Sequence, residues 1–291
     1  MMSTYQSGIL QDLPAQASYL SFDLHPAATA ESVRAALTQL QADVDGQKIV
    51  LGIGARLCEF LGVAIPGLRD FAGIAGSKVN LPSTPAALWL WLRETDRGEL
   101  VHQQQRVWQT LEGSFVLQQQ VSAFKYADGR DLSGYEDVTE NPQGDEARVV
   151  AIAGDGGSYV AIQQWEHQFD RLQSMPQAEQ DLMIGRRQSD NEELDEAPES
   201  AHVKRTAQES FTPEAFVMRR SMPWSEGLRA GLYFVAFATS YAAFEAQLAR
   251  MAGAEDDVTD AIFRFTVPLT TSYFWCPPVV GGKVSLSALL P

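Results

Sequence analysis

The stretch "SYVAIQQWE", Ser158 to Glu166, echoes "SYLSFDLHP", Ser18 to Pro26, in its opening residues and in its period. Both alternate apolar and polar positions as strands do. Outward from the earlier stretch, Thr29 offers an N-cap, and Val33, Ala36, Leu37 and Leu40 follow at helical spacing. "KIVLGIG" and "AALWLWLRE" are predicted strands. A helix with Leu100, Val107, Trp108 and Leu111 on one face leads into the strand "FVLQQQVSAFKY". Outward from the later stretch, strands "AFVMRRSMP" and "GLYFVAFAT" precede a helix carrying Tyr241, Phe244, Leu248 and Met251, with Gly253 as its stop. The expected architecture is a tandem α+β duplication.

Composition narrows the function. The chain has 291 residues, enough for one large domain or two smaller ones. Its 22 basic against 37 acidic residues argue against nucleic acid or an anionic membrane as a main partner. Cys58 and Cys276 make neither a disulfide framework nor a thiolate zinc site, so a cytoplasmic location is expected. "MMSTYQSGILQDLP" has no basic start and no apolar h-region, and "GLYFVAFATSYAAF" is shorter than a bilayer span.

"LGIGARL" has a glycine turn after a strand, but Leu57 stands where a dinucleotide loop needs its third glycine, and that reading fails. No HExxH, Walker loop, GxSxG elbow or CxxC is present. Of the four histidines, His25 ends a strand beside Pro26 and reads as structural, and His102 falls on the polar side of a helix start. His167, closing "AIQQWEH", fits either role. His202 stands in "SAHVKRT", directly after "DNEELDEAPES", an acidic run that reads most simply as a solvated loop. One histidine cannot hold zinc, but it suffices for haem, whose macrocycle supplies four ligands. In "FVMRRSMPW", strand alternation sends Arg219 and Arg220 to opposite faces, one to water and the other to an acid or anion. The turn "LSGYEDVTENP", Leu132 to Pro142, has carboxylates to offer.

Together these segments resemble the dye-decolourising peroxidase family, in its compact bacterial form. The family carries a G-x-x-D-G-T-E-N-P stretch, here "GYEDVTENP", Gly134 to Pro142. A histidine segment follows, here "IGRRQSDNEELDEAPESAHVKRT", Ile184 to Thr206, then an arginine strand, here "MRRSMPW". The closing "GLYFVAFA…FTVPLTTSYFWCPP" is similar to the family's C-terminal signature.

The resemblance implies two ferredoxin-like halves, antiparallel sheets with helices packed outside, divided at 1–145 and 146–291. Haem b (iron protoporphyrin IX) is expected in the C-terminal half. His202 falls at the proximal iron ligand, Asp137 at the distal acid, Arg219 at the distal arginine and Ser221 at the polar position beyond it. Arg186 joins Arg219 and Ser221 among the cofactor-binding residues, and Arg220 faces away. The implied reaction oxidises aromatic dyes or phenolic donors by single electrons with hydrogen peroxide. It passes through a ferryl species with a porphyrin radical, in an expected homo-oligomer. Asp137 would shuttle the peroxide proton and Arg219 would favour O–O cleavage. Two other readings stand beside it: a haem protein for storage or iron release with incidental peroxidase activity, and an interaction module without haem. Val138 replaces the family's glycine, so the loop either takes another conformation or crowds the distal pocket.

Overall fold

Strand Gln16–Leu24 (β1) turns Leu20 and Phe22 to one side and Ala17 and Tyr19 to the other, and both sides are buried. A strand buried twice needs cover on two faces. The computed structural model, which describes residues 4–137 and 139–290, supplies it by closing a sheet on itself and laying helices outside.

The first half continues with α1 (Ala30–Asp43), β2 (Ile49–Ile53), α2 (Ala55–Leu61), β3 (Leu88–Glu94), α3 (Arg97–Leu111) and β4 (Phe115–Phe124). Thr29 and Ser32 form a reciprocal capping box at the start of α1, and Asp96 caps α3 through the N–H groups of Gly98 and Glu99. Gly54 opens α2. An ideal Cβ there would lie 1.9 Å from the Ala86 carbonyl oxygen, so this glycine serves close backbone approach rather than a phosphate loop.

The second half runs through α4 (Gly144–Ala151), β5 (Ser158–His167), α5 (Phe169–Ser174), α6 (Gln177–Ile184) and α7 (His202–Arg205). It then continues through β6 (Met218–Arg219), β7 (Met222–Glu226), β8 (Arg229–Ala238), α8 (Ala242–Met251), β9 (Thr266–Pro268) and β10 (Ser272–Cys276). The single strand expected over "AFVMRRSMP" is two. Arg220 and Ser221 interrupt it, and Arg220 N–H still reaches the Val235 carbonyl at 2.8 Å.

Strands lie in the order β8-β7-β4-β1-β3-β2-β10-β5, and β5 pairs back onto β8 to close the ring. All pairings are antiparallel. The first half contributes the run β4-β1-β3-β2 and the second the run β10-β5-β8-β7. One residue pair joins the runs at each seam, Ala123 with Trp224 and Trp275 with Ile53.

Period-two alternation then sorts the core. In β3, Trp89 and Trp91 enter the ring while Leu88, Leu90 and Leu92 face the outer helices. Inside, the Tyr19 and Tyr233 rings stack with centroids 3.9 Å apart, and Trp89 Nε1–H donates to Tyr233 Oη at 3.2 Å. Outside the second half, Phe244 and Leu248 of α8 pack on Ala161 and Ala236. Among the described residues no helix is long and apolar enough to cross a membrane.

Candidate active site

On the face of β5 opposite Val160 and Ile162, Gln163, Trp165 and His167 border a pocket whose empty space, open solvent at its mouth included, is about 880 Å³. Leu232 and Phe234 of β8, Phe244, Leu248 and Met251 of α8, and Ile262 and Phe265 complete an apolar wall. Polar groups enter from the loop Tyr135–Asp137, from α7 with His202, and from β6 with Arg219. An adjoining pocket, about 670 Å³ with its open solvent included, shares Asp137, His202 and Arg219 and adds Arg186, Glu140 and Glu193.

His202 is the first residue of α7, with its side chain about 26% exposed. Its Nδ1 lies 2.7 Å from Oδ2 of the buried Asp260, whose Oδ1 accepts the Ile262 N–H at 3.0 Å. Burial alone would lower the imidazole pKa, but Asp260 outweighs it and the net shift is upward. Its other nitrogen has no hydrogen-bond partner among the described residues. A histidine oriented by a carboxylate through one nitrogen and free at the other is the arrangement used for metal ligation.

Arg219 is placed by the turn. The Asn141 side-chain amide accepts the Arg219 N–H and donates to the Arg219 carbonyl, both at 2.9 Å, as a neighbouring strand would. This clamp gives "ENP" its task beyond shaping the turn. Gly134 has a φ of +91°, and an ideal Cβ would meet Gln188 Nε2 at 2.4 Å. Tyr135 is buried and donates to Asp181, and its phenol pKa is pushed far up, first by burial and then by that bond. Glu136 pairs with Arg130 at 3.3 Å and accepts from Asn191 at 2.9 Å, while Glu140 pairs with Arg186 at 2.6 Å.

Asp137 Oδ2 and Arg219 Nε are buried without a hydrogen-bond partner among the described residues, and both residues line the two large cavities. Unpaired buried groups of this kind are costly, so the site is built to be completed by something polar. Arg219 has no ion-pair partner among the described residues. Ser221 stands apart. It is buried, its Oγ takes the Val235 N–H at 3.4 Å, and it borders a small cavity shared with Asp137.

Neither arginine of the pair points into open water. Arg220 faces away as expected, yet it meets the carbonyls of Ile9 and Leu10 at 3.0 and 2.7 Å rather than an acid. Burial brings its pKa down to about 10. The acids of the acidic run are exposed, as in a solvated loop, and three of them also pair with arginines. Arg186 holds Glu193 at 3.0 Å, and Arg187 holds Asp190 and Glu192. Val138 lies outside the described residues.

The sequence reading missed two partners. Asp260 stands 58 positions from His202, and Asp131 stands 36 from His167, whose Nε2 it meets at 2.9 Å. Neither spacing is a local motif. The only available signal for Asp260 was its N-cap position before "AIFR".

Comparison with known proteins first gives the class, a peroxidase. A family model described as the C-terminal part of Dyp-type peroxidase matches residues 128–281. The dye-decolorizing peroxidase of Rhodococcus erythropolis is 30% identical over 246 residues, covering 80% of this chain and 72% of that one. The chain belongs to the Dyp-type peroxidase family. A Dyp-type peroxidase protein structure from Shewanella oneidensis superposes with a TM-score of 0.84 at 25% identity, covering 100% of this chain and 99% of that one. A variant of DypB from Rhodococcus jostii RHA1, solved in complex with heme, shares the fold with a TM-score of 0.82 at 24% identity, over 95% and 97% of the two chains.

Proposed function

We propose that the chain is a haem b peroxidase that oxidises small aromatic donors, dyes and phenols among them, by single electrons at the expense of hydrogen peroxide. One observation carries this reading: a carboxylate-oriented histidine shares an apolar-walled cavity with a buried Asp137 oxygen and a buried Arg219 nitrogen, and neither of these atoms nor the second His202 nitrogen has a hydrogen-bond partner among the described residues. Among the described residues no cluster of three or more His, Cys, Asp or Glu is arranged to hold an ion by itself. His202 alone serves as the protein ligand if a macrocycle brings the rest. The apolar wall suits a porphyrin face. Arg186, at the rim of the second cavity, suits a cofactor carboxylate.

Bound haem would supply the iron that takes up peroxide oxygen and the reversible store of oxidising equivalents. This chain's residues do the remainder. Asp260 fixes the tautomer and angle of His202. Asp137 takes the proton from the inner peroxide oxygen and delivers it to the outer one, so that water leaves. Arg219, anchored by Asn141, stabilises negative charge on the departing oxygen in an apolar-walled cavity. Ser221 is assigned to the support of Asp137 from the small cavity.

The matching order of strands in the two halves supports a tandem ferredoxin-like duplication, 1–145 and 146–291, with the cofactor in the second half. The free, buried thiols of Cys58 and Cys276 agree with a reducing compartment.

Haem titration of the purified protein tests the reading. A Soret band is expected in the parent and its loss or conversion to a weakly ligated form in His202→Ala. Stopped-flow mixing with peroxide should slow by about 10²–10⁴ in Asp137→Asn. An unchanged Soret spectrum and haem content in His202→Ala would overturn the assignment.

A further inference from the structure

His167 has no task in that mechanism, although it lines the same cavity as Asp137 and His202 and is only 7% exposed. Its Nε2 lies 2.9 and 3.0 Å from the two Asp131 oxygens, and its Nδ1 lies 2.8 Å from Thr266 Oγ1. Thr266 Oγ1 lies 3.1 Å from the Glu166 carbonyl, which can only accept. A hydroxyl has one proton to give. With that proton on the Glu166 carbonyl, His167 Nδ1 must donate to Thr266. Nε2 also donates, because an ionised Asp131 only accepts. In this arrangement each ring nitrogen faces an acceptor, so the geometry offers a place for a proton on both. Asp131 is ionised: burial pushes its pKa up, but His167 and the Ser133 N–H pull it below the ordinary value.

Asp131 also borders the small cavity where Asp137 is found, and that cavity has room for about one water. Asp137 Oδ2 has no other partner among the described residues. The remaining titratable or charged groups facing the large cavity are Tyr135, Glu136, Asp137, His202 and Arg219.

We propose that His167 and Asp131 form a proton reservoir that reloads Asp137 during the donor half of the reaction. The proposal rests on the peroxidase reading. One hydrogen peroxide and two donor hydrogen atoms give two waters. The first water takes its proton by way of Asp137, and the second needs protons brought to the cavity. In the relay the His167 Nε2–H bond breaks and an O–H bond forms on Asp131. The proton moves through the water to Asp137 Oδ2, and no electron changes hands. The proton released by the oxidised aromatic donor refills the imidazole. His167 and Asp131 are thus positioning residues rather than catalytic ones.

Side-chain ¹⁵N NMR of the purified protein at neutral pH reads the first claim without any turnover. Both His167 ring nitrogens should be protonated in the parent, and Thr266→Val should lower that protonation. In the haem-loaded protein, His167→Gln should leave peroxide cleavage within about threefold in stopped flow. Steady-state dye turnover should fall at least tenfold, show a larger H₂O/D₂O ratio and recover as acetate buffer concentration rises. Asp131→Asn should behave alike. A neutral His167 in the parent overturns the reservoir, and so does His167→Gln turnover equal to the parent's in both solvents without buffer dependence. Either result leaves haem binding by His202 standing. Should His167→Gln fail to fold, Thr266→Val carries the same pair of measurements.

Discussion

On the outer face of the first half, Leu20, Phe22, Leu88, Leu90 and Leu92 meet Val33, Leu37 and Leu40 of α1 and Leu100, Val107 and Leu111 of α3 in one apolar layer. On the outer face of the second half, Gln163, Trp165, His167, Leu232 and Phe234 face a cavity instead. Strand order cannot explain the contrast, because it is the same in both. The connections explain it. Both halves pack one helix on the sheet, α3 in the first and α8 in the second, but where the first half also lays the 14-residue α1 against its sheet the second has only α5, α6 and α7, each of eight residues or fewer, and a run of acids between α6 and α7.

What holds the hollow half together also differs. Arg205 pairs with Asp256 at 2.7 Å, Arg250 with Glu255 at 2.9 Å, and Arg186 with Glu140 and Glu193 at 2.6 and 3.0 Å. These pairs fix α6, α7 and the turn around the cavity without filling it. A site needs room, and room removes apolar burial. Charge pairs and hydrogen bonds then set position while contributing less stability per contact.

Truncation on the two faces should expose this difference most clearly. Leu90 is fully buried in the apolar layer, and Leu90→Ala should cost about 2–5 kcal/mol. Leu232→Ala at the cavity wall should cost well below that, because one side of Leu232 already lacks packing partners, and should alter haem affinity instead. Urea denaturation with an unchanged m-value reads both. Equal losses at the two positions would break the comparison.

The packed half was also the more legible in the sequence. "SYLSFDL", the Thr29 cap, Val33, Ala36, Leu37 and Leu40, and the alternation of "LWLWLRE" all report local periodicity, and local periodicity is what apolar layers require. In the hollow half the resemblance brought His202, Asp137, Arg219 and Arg186 to the cavity rim. Asp260, Asp131 and the Asn141 clamp reach across 58, 36 and 78 positions and follow no period. The closure of both runs into one ring rests on single residue pairs at two seams, which leave no pattern. "AFVMRRSMP" read as one strand because its break at Arg220 depends on distant carbonyls at Ile9 and Leu10.

The Asn141 clamp belongs to the hollow half's way of holding position, and removing it sharpens the point. Asn141→Ala leaves the Arg219 N–H and carbonyl without their partner and should cost about 1–3 kcal/mol. Peroxide cleavage should slow as well, since Arg219 loses its register. Asn141→Asp keeps the acceptor for the Arg219 N–H but loses the donor, so it should fall between parent and Asn141→Ala in both measurements. A loss of stability with unchanged stopped-flow rates would show that the clamp serves the fold alone.

The smallest effect belongs to Asp256. Its partner Arg205 closes α7 with its side chain 5% exposed, while Asp256 itself is 42% exposed. The two hydrogen bonds from Arg205 hold the Asp256 carboxyl down at about 2. Against an unfolded value of about 3.9, the folded pKa is depressed, so the pair stabilises the fold above about pH 4 and that stabilisation is lost as the pH falls toward 2. Solvent screening on the Asp256 side limits it to about 1 kcal/mol. Asp256→Asn should therefore be less stable than the parent by up to about 1 kcal/mol at pH 6 in low salt. The two urea midpoints should converge as the pH is lowered from 4 to 2, and they should draw closer at pH 6 in 1 M salt. A gap that persists at pH 2 would place the loss in packing around Arg205 rather than in charge, and the hollow half would then be held as the packed half is.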